Sequence, residues 1–396
     1  MTVRVLTGDC RAVLAALHAE GARFDACVTD PPYHLASIVK RFGAEGAAPP
    51  KSDGPTGVYK RAAAGFMGKK WDGGDVAFDP ATWRRVYDVL KPGAHLLAFG
   101  APRNFGFLQV AVAEAGFEIR DTVLWLFGSG FPKSHNLDGA WEGWGTALKP
   151  AAEFVTLARK PLVGTVAVNV EAHGTGALNI DGCRVAAPDG VPTRSRFRNP
   201  PGVVRTSYDL GTSKRTGEIS VAGRWPANVA HDGSEEVLAA FPQTAPSPES
   251  KPRPPDGPAQ STWSLGRTGG VIAGHNDSGS AARFFYCAKA GADDRLGSKH
   301  PTVKPVDLMR WLVRLVTPPG GHVLDPFAGT GTTGAACIRE GFDATLVERE
   351  ADSVADIERR LAHMSGADTP LLRLDRSIAE GGPARRSLGE GGEADA

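Results

Sequence analysis

The chain has 396 residues, with 41 % hydrophobic and 22 % charged positions, a balance that fits a globular protein able to bury a core and excludes a low-complexity or fibrous chain. Its 45 basic and 44 acidic side chains leave a net charge of +1, which neither names nor excludes a polyanionic partner, because a local basic face can be offset elsewhere. The five cysteines, Cys10, Cys27, Cys183, Cys287 and Cys337, are widely spaced with no CxxC pair and no leader ahead of them, which argues against a disulfide scaffold and for a reducing cytoplasm. No apolar run approaches the roughly 20 residues that a membrane-spanning helix needs.

The amino-terminal segment reads as a strand over 3–7, a helix over 10–19 and a short apolar strand over 26–29 that runs into Asp30-Pro31-Pro32-Tyr33. Residues 40–74 are rich in Gly, Pro and Lys without sustained periodicity, the pattern of a long loop and a candidate lid. Alternation resumes with a helix over 80–90, a Lys-Pro-Gly turn, a strand over 95–99, a helix over 105–115, and strands over 122–126 and 154–158. Between 161 and 282 the pattern dissolves into Gly, Pro, Ser and Arg, and from Arg184 to Arg224 there are eight Lys or Arg against three Asp or Glu. This stretch reads as a separate, basic, loop-rich module, with a solvated linker as the plainer alternative. Residues 284–289 read as a strand rejoining the sheet. A helix over 306–316, a strand over 322–324, a Gly-rich turn, a helix over 332–340, a strand over 344–348 and a helix over 351–362 follow. Helices alternating with nearly continuous apolar strands predict an α/β fold whose parallel sheet is covered on both faces. The residues from 376 lack periodicity and read as a disordered tail.

Val323-Leu-Asp325-Pro-Phe327-Ala-Gly329-Thr-Gly331-Thr332-Thr333 is a strand ending in an acid, a glycine turn and a helix start. Gly329 and Gly331 let the backbone bend sharply and approach a ligand, with the helix-start amides facing an anionic group. A bare helix cap explains such a turn equally well, so Glu348 carries more weight. It closes the next strand 19 residues after Gly329, where doubly wound sheets place an acid to hold ribose hydroxyls. Read as falling short of a full GxGxxG fingerprint, and with its Phe-Ala lead, the turn favours an adenosine bearing an amino acid, S-adenosylmethionine, over a nicotinamide dinucleotide.

Asp30-Pro31-Pro32-Tyr33 stands at the carboxyl end of an apolar strand, where open α/β sheets hold their ligands. The prolines fix φ and remove backbone donors, leaving a rigid set of acceptors. An exocyclic amine conjugated to a base is a poor nucleophile. The Asp30 carboxylate and the Pro31 carbonyl can accept from its N–H groups and draw the nitrogen toward tetrahedral geometry, with no metal or covalent nucleophile required. Tyr33 offers a face on which an extruded base can stack. Taken alone, the tetrapeptide is also an ordinary Pro-Pro turn.

Together these motifs resemble the amino-methyltransferases of DNA, in particular the group in which the catalytic motif precedes the donor motif. Asp30-Pro-Pro-Tyr33 lies near the amino terminus, a recognition region occupies the middle, and His300-Pro-Thr302-Val-Lys304-Pro precedes Asp325-Pro-Phe-Ala-Gly-Thr-Gly331. The resemblance implies that Asp325, Phe327, Gly329, Gly331 and Thr332 belong to the donor cradle, that Thr302 and Lys304 lie against the donor's methionine part, that Glu348 holds its ribose, and that Asp9 of Leu6-Thr-Gly-Asp-Cys10 contacts its adenine.

On this reading the chain is a Rossmann-like S-adenosylmethionine-dependent methyltransferase sheet interrupted by a recognition insert. Residues 1–160 form the catalytic part, 161–283 the target-recognition region, 284–372 the donor-binding part and 373–396 the tail. The expected activity is methylation of adenine N6 in duplex DNA by base flipping, in a bacterial or phage cytoplasm and of the kind found in restriction-modification systems. Cytosine N4 is the alternative base; an opening Asp rather than Ser in the motif favours adenine on the family's usage. Cytosine C5 chemistry needs a Cys nucleophile, and the sequence has no Pro-Cys pair. RNA or a protein amide as substrate, and a non-catalytic nucleotide-binding or nucleic-acid-binding module, are the rival readings. Lys69, Lys70, Arg194, Arg196, Arg198, Arg205 and Arg224 are candidate phosphate contacts, with Trp71 beside them to fill the gap left by a flipped base. Partners are double-stranded DNA and, as an option left open, a second copy of the chain.

Overall fold

Acidic caps written into the chain set where its first helices begin. Asp9 Oδ1 accepts from the amides of Arg11 at 3.0 Å and Ala12 at 3.4 Å, and Asp79 accepts from the Ala81 amide at 2.9 Å with Pro80 in the first turn. The computed structural model describes residues 1–33, 76–130, 134–187, 195–198, 216–220, 223–245, 278–288, 291, 294–298, 303–364 and 372–375.

The elements in chain order are β1 (Val3–Thr7), α1 (Cys10–Ala19), β2 (Phe24–Thr29), α2 (Pro80–Val89), β3 (Leu90–Gly100), α3 (Phe105–Glu114), β4 (Glu118–Leu126) and β5 (Ala152–Arg159). Next come α4 (Val166–His173), β6 (Ser195–Arg198), β7 (Thr216–Ser220), β8 (Val229–His231), α5 (Glu235–Ala240), β9 (Gln243–Thr244), β10 (Gly279–Ser280) and β11 (Tyr286–Cys287). The carboxyl-terminal set is α6 (Val306–Val316), β12 (His322–Asp325), α7 (Thr332–Glu340), β13 (Asp343–Glu348), α8 (Ala351–Met364) and β14 (Leu372–Asp375).

Among the described residues the main sheet has ten strands in the order β11-β8-β4-β5-β3-β2-β12-β13-β1-β14. Every pairing is parallel except those of β5, which runs antiparallel to β3 and β4. Alternate residues feed two cores, as a strand's period of two requires. Val5, Val28, Phe99, Val323 and Leu346 face α6, α7 and α8 on one side, while Leu6, Cys27, Leu96, Leu324 and Val347 face α1, α2 and α3 on the other. The chain leaves β2 toward β3 and leaves β12 toward β13, in opposite directions from adjacent strands. The carboxyl ends of β2 and β12 therefore flank a topological switch point, where such sheets open a crevice for ligands. None of the described helices is long and apolar enough to cross a membrane.

The differences from the sequence reading have local causes. The Lys-Pro-Gly segment is absorbed into β3, because Leu90 pairs with Phe24 and Lys91 Nζ reaches Asp25 Oδ1 at 2.6 Å. The strand expected over 284–289 shrinks to Tyr286–Cys287, since Ala281–Phe284 wind into a 3-10 turn capped by the Ser280 hydroxyl. Strand β14 pairs with β1 at the sheet edge, where no strand was expected.

The flanks of the region read as a separate module are built into the sheet. Asn169 of α4 donates to the Pro92 carbonyl of β3 at 3.0 Å, and β8 lies between β4 and β11. The excursion is pinched where Val185 and Arg224 exchange backbone hydrogen bonds of 3.1 and 2.7 Å. Lys69, Lys70, Trp71, Arg194, Arg205 and Thr302, with the loop over 40–74 and the tail from 376, lie outside the described residues.

Trp83 of α2 is fully buried, donates to the Ala77 carbonyl at 2.8 Å and lies 6.4 Å from the Phe327 ring. Trp83→Ala should cost about 3–5 kcal/mol in urea unfolding; a loss below ~1 kcal/mol would show that this core is not packed as described.

Candidate active site

Asp30 and Tyr33 follow β2, and Lys304 reaches them from the segment that opens α6. Lys304 Nζ lies 2.9 Å from Asp30 Oδ2, 2.9 Å from Glu153 Oε2 of β5 and 3.0 Å from the Tyr33 hydroxyl, to which it donates. The Tyr33 and Phe99 rings lie 5.3 and 4.8 Å from the ammonium. Burial opposes the charge of Lys304, but the carboxylates of Asp30 and Glu153 outweigh it and hold the ammonium above its ordinary range. Burial, then the same two carboxylates, push the Tyr33 phenol well above its ordinary range, so it stays neutral. Asn104 donates to the Tyr33 carbonyl and fixes the turn from the α3 side.

Among the described residues, Asp30 Oδ1 and Glu153 Oε2 are buried without a hydrogen-bond partner, and of the two only Glu153 Oε2 lies within ion-pair distance of Lys304. A buried carboxylate oxygen without a donor is costly, and such an atom at a switch-point crevice marks a place for a donor supplied by a ligand.

Lys304 was expected to lie against the donor's methionine part; its ammonium is engaged by two carboxylates at the Asp30 turn. Glu153 was missed. Its signal in the sequence is a charge at the start of the otherwise apolar run Phe154-Val-Thr-Leu-Ala158.

Across the crevice, the turn after β12 is held from several sides. The Gly329 amide donates to Glu348 Oε2 at 2.8 Å, and the Arg349 and Glu350 amides donate to Oε1 at 2.9 and 2.8 Å. Burial still leaves the Glu348 carboxyl raised. Gly329 and Gly331 have φ of +53° and +77°, the left-handed region that favours glycine, and a Cβ on Gly329 would meet open space. Gly331 caps α7. Phe327 packs beneath the turn against the core that holds Trp83, and Thr332 is buried in the first turn of α7. Gly334 completes the glycine spacing of a dinucleotide turn; a Cβ there would stand 2.7 Å from Leu346 Cδ1, so this glycine serves close helix–strand packing. The glycine pattern therefore does not separate a dinucleotide from S-adenosylmethionine.

Asp325 does not line the crevice. It is 2 % exposed, accepting from Thr29 Oγ1 at 2.6 Å, Thr333 Oγ1 at 2.5 Å and the Phe327 amide at 3.1 Å. It straps β2, β12 and α7 together beneath the two motifs. Arg360, also missed, is a buried cation on the inner face of α8 that donates to the Thr330 carbonyl at 2.8 Å and the Asp294 carbonyl at 2.7 Å. Asp9 sits at the end of β1, where the Gly8 amide donates to the Glu348 carbonyl at 3.0 Å, so it adjoins the same cradle while capping α1.

Of the expected DNA contacts, Arg196 and Arg198 stand on β6, which pairs antiparallel with β7. The Arg224 guanidinium donates to the Ala186 and Arg283 carbonyls at 3.1 and 3.3 Å and lies over the Phe284 ring, which makes it part of the neck of the insert.

Residues 24–359 match the family model described as DNA methylase, of the N6/N4 type. The chain belongs to the N6/N4 DNA methylase family. It is 34 % identical over 68 residues to the type II methyltransferase M2.DpnII of Streptococcus pneumoniae, a match covering 17 % of this chain and 25 % of that protein. It is 38 % identical over 85 residues to the type II methyltransferase M.HinfI of Haemophilus influenzae, covering 21 % and 24 %. The chain thus spans about a quarter of the length of the curated relatives it matches. Among solved structures, the M1.HpyAVI–SAM complex aligns over 91 % of this chain and 98 % of its own, at 14 % identity and a TM-score of 0.42.

Burial raises the Asp325 carboxyl from 3.8 to about 6, against the hydrogen bonds that pull it down and with a further push from Asp30. Between those values the folded protein keeps a proton that the unfolded chain has lost, so this group's contribution to stability falls as pH rises through the window and is level above it. Urea titrations across that range should show this decline in the wild type and its absence in Asp325→Asn. Parallel curves would show that the carboxyl does not titrate there.

Proposed function

We propose that this protein transfers a methyl group from S-adenosylmethionine to an exocyclic amino nitrogen in duplex DNA, adenine N6 being the preferred target. The observation that carries the reading is Asp30 Oδ1, a buried acceptor that no donor among the described residues reaches, at the switch point that also holds the glycine turn and Glu348. The residues present fit the donor. Gly329 leaves open space where a side chain would stand, and Glu348 already accepts three amides yet retains acceptor capacity for a diol. Asp9 adjoins the same strand end for the adenine.

When bound, the donor supplies a methyl group on a sulfonium already reactive enough to need no metal. This chain's residues position and polarise. Asp30 Oδ1 and the Pro31 carbonyl accept from the amino group, drawing its lone pair out of conjugation and aiming it at the methyl carbon. Lys304 holds the other Asp30 oxygen, so the carboxylate cannot rotate away. The neutral Tyr33 ring provides a face for a base removed from the duplex, and Asn104 keeps that turn in place. The excursion closed by Val185 and Arg224, bearing Arg194, Arg196, Arg198 and Arg205, is the candidate region for contacting the duplex.

Asp30→Ala should lower methyl transfer to DNA by about 100-fold or more while calorimetry finds donor affinity within about threefold of wild type. Unchanged turnover would remove Asp30 from the mechanism. Mass spectrometry of nucleosides from methylated DNA should find N6-methyladenine. N4-methylcytosine would keep the acceptor geometry and change the base, whereas no methylated amino group would exclude the reading.

A further inference from the structure

β5 brings an unexpected charge to the catalytic edge of the sheet. Glu153 lies near its start, opposite Trp125 of β4, and β5 is the strand that runs against both of its neighbours. An antiparallel strand presents its amino-terminal end where parallel strands present their carboxyl ends, so Glu153 arrives beside Asp30. Its Oε2 and Asp30 Oδ2 stand equally close to Lys304 Nζ, at 2.9 Å. An ammonium with one carboxylate makes a neutral pair; with two it leaves one net negative charge in a buried site.

We propose that Glu153 is a positioning residue for methyl transfer, sharing the Lys304 charge so that Asp30 keeps Oδ1 as an unused acceptor and the site holds a net negative charge beside the reacting nitrogen. The proposal rests on the methyl-transfer reading. In that reaction the nitrogen lone pair forms the C–N bond, the C–S bond breaks with its electron pair left on sulfur, and positive charge passes from sulfur to nitrogen until an N–H proton departs to water. A net negative cluster stabilises the nitrogen as it turns cationic, whereas a neutral Asp30–Lys304 pair does so far less. The charged and titratable groups around the ammonium, among the described residues, are Asp30 from the end of β2, Tyr33 from the following turn and Glu153 from β5. Phe99 of β3 adds an aromatic face, and Asp325 of β12 couples to Asp30.

Glu153→Gln keeps the shape of the side chain and removes its charge; Glu153→Asp keeps the charge and shortens the reach. Both are to be compared with wild type by thermal melting, donor calorimetry, single-turnover transfer across pH, and NMR titration of the Lys304 side chain. The Gln variant should melt and bind donor as wild type does, yet transfer about tenfold or more slowly. In the NMR titration Lys304 should lose its proton at lower pH than in the wild type, because it has lost one of the two carboxylates that hold that proton. The Asp variant should recover the greater part of the rate. A Gln variant as fast as the Asp variant, or an unmoved Lys304 titration, would overturn the role of Glu153 while leaving an active wild type intact. A wild type without transfer activity would overturn the methyl-transfer reading and this role with it.

Discussion

The site depends on a single buried ammonium. Lys304 comes from the carboxyl-terminal half of the chain and meets Asp30 and Tyr33 from the amino-terminal half and Glu153 from β5, so one cation ties three distant segments together at the end of the sheet. A charge placed there without partners would be too costly to keep. Paired twice, it fixes the Asp30 carboxylate by one oxygen, while the other is buried without a donor among the described residues.

A second set of contacts aligns the glycine turn with the Asp30 turn. Asp325 joins β12 to β2 through the Thr29 hydroxyl and to α7 through the Thr333 hydroxyl, so the strand before Asp30 and the strand that leads to Gly329 share one buried anchor. Glu348 holds the turn from above through its Gly329 contact, and Arg360 holds it from α8 through the Thr330 carbonyl. The methyl transfer proposed above needs two reactants aligned within a fraction of an ångström, a requirement that rigid supports around both motifs would serve. The topology supplies the rest, since adjacent strands with opposite exits open a crevice at that point.

Much of this was legible in the sequence because the relevant signals are local. Apolar periodicity, the Pro-Pro turn and the glycine turn act over a few residues, and the core α/β elements formed where they were expected. What was not legible depended on partners distant in the chain. That Lys304 also pairs with Asp30 and Glu153 is not written in its own segment, and Glu153 stands out only once β5 is known to run antiparallel. Asp325 looked like a ligand because it precedes the glycine turn, but two threonine hydroxyls and an amide enclose it. Arg224 counted among the basic residues of the insert, whereas its fold partners are carbonyls at the insert's neck. The edge strand β14 forms by pairing with β1, a contact no local pattern announces.

The most direct test of the account is a structure of the protein with duplex DNA and a donor analogue that cannot transfer its methyl group. The account predicts an extruded base whose amino nitrogen lies ~3 Å from Asp30 Oδ1, with Lys304 still on the other oxygen. A bound base whose amino group points away from Asp30, with Oδ1 left without a donor, would contradict it.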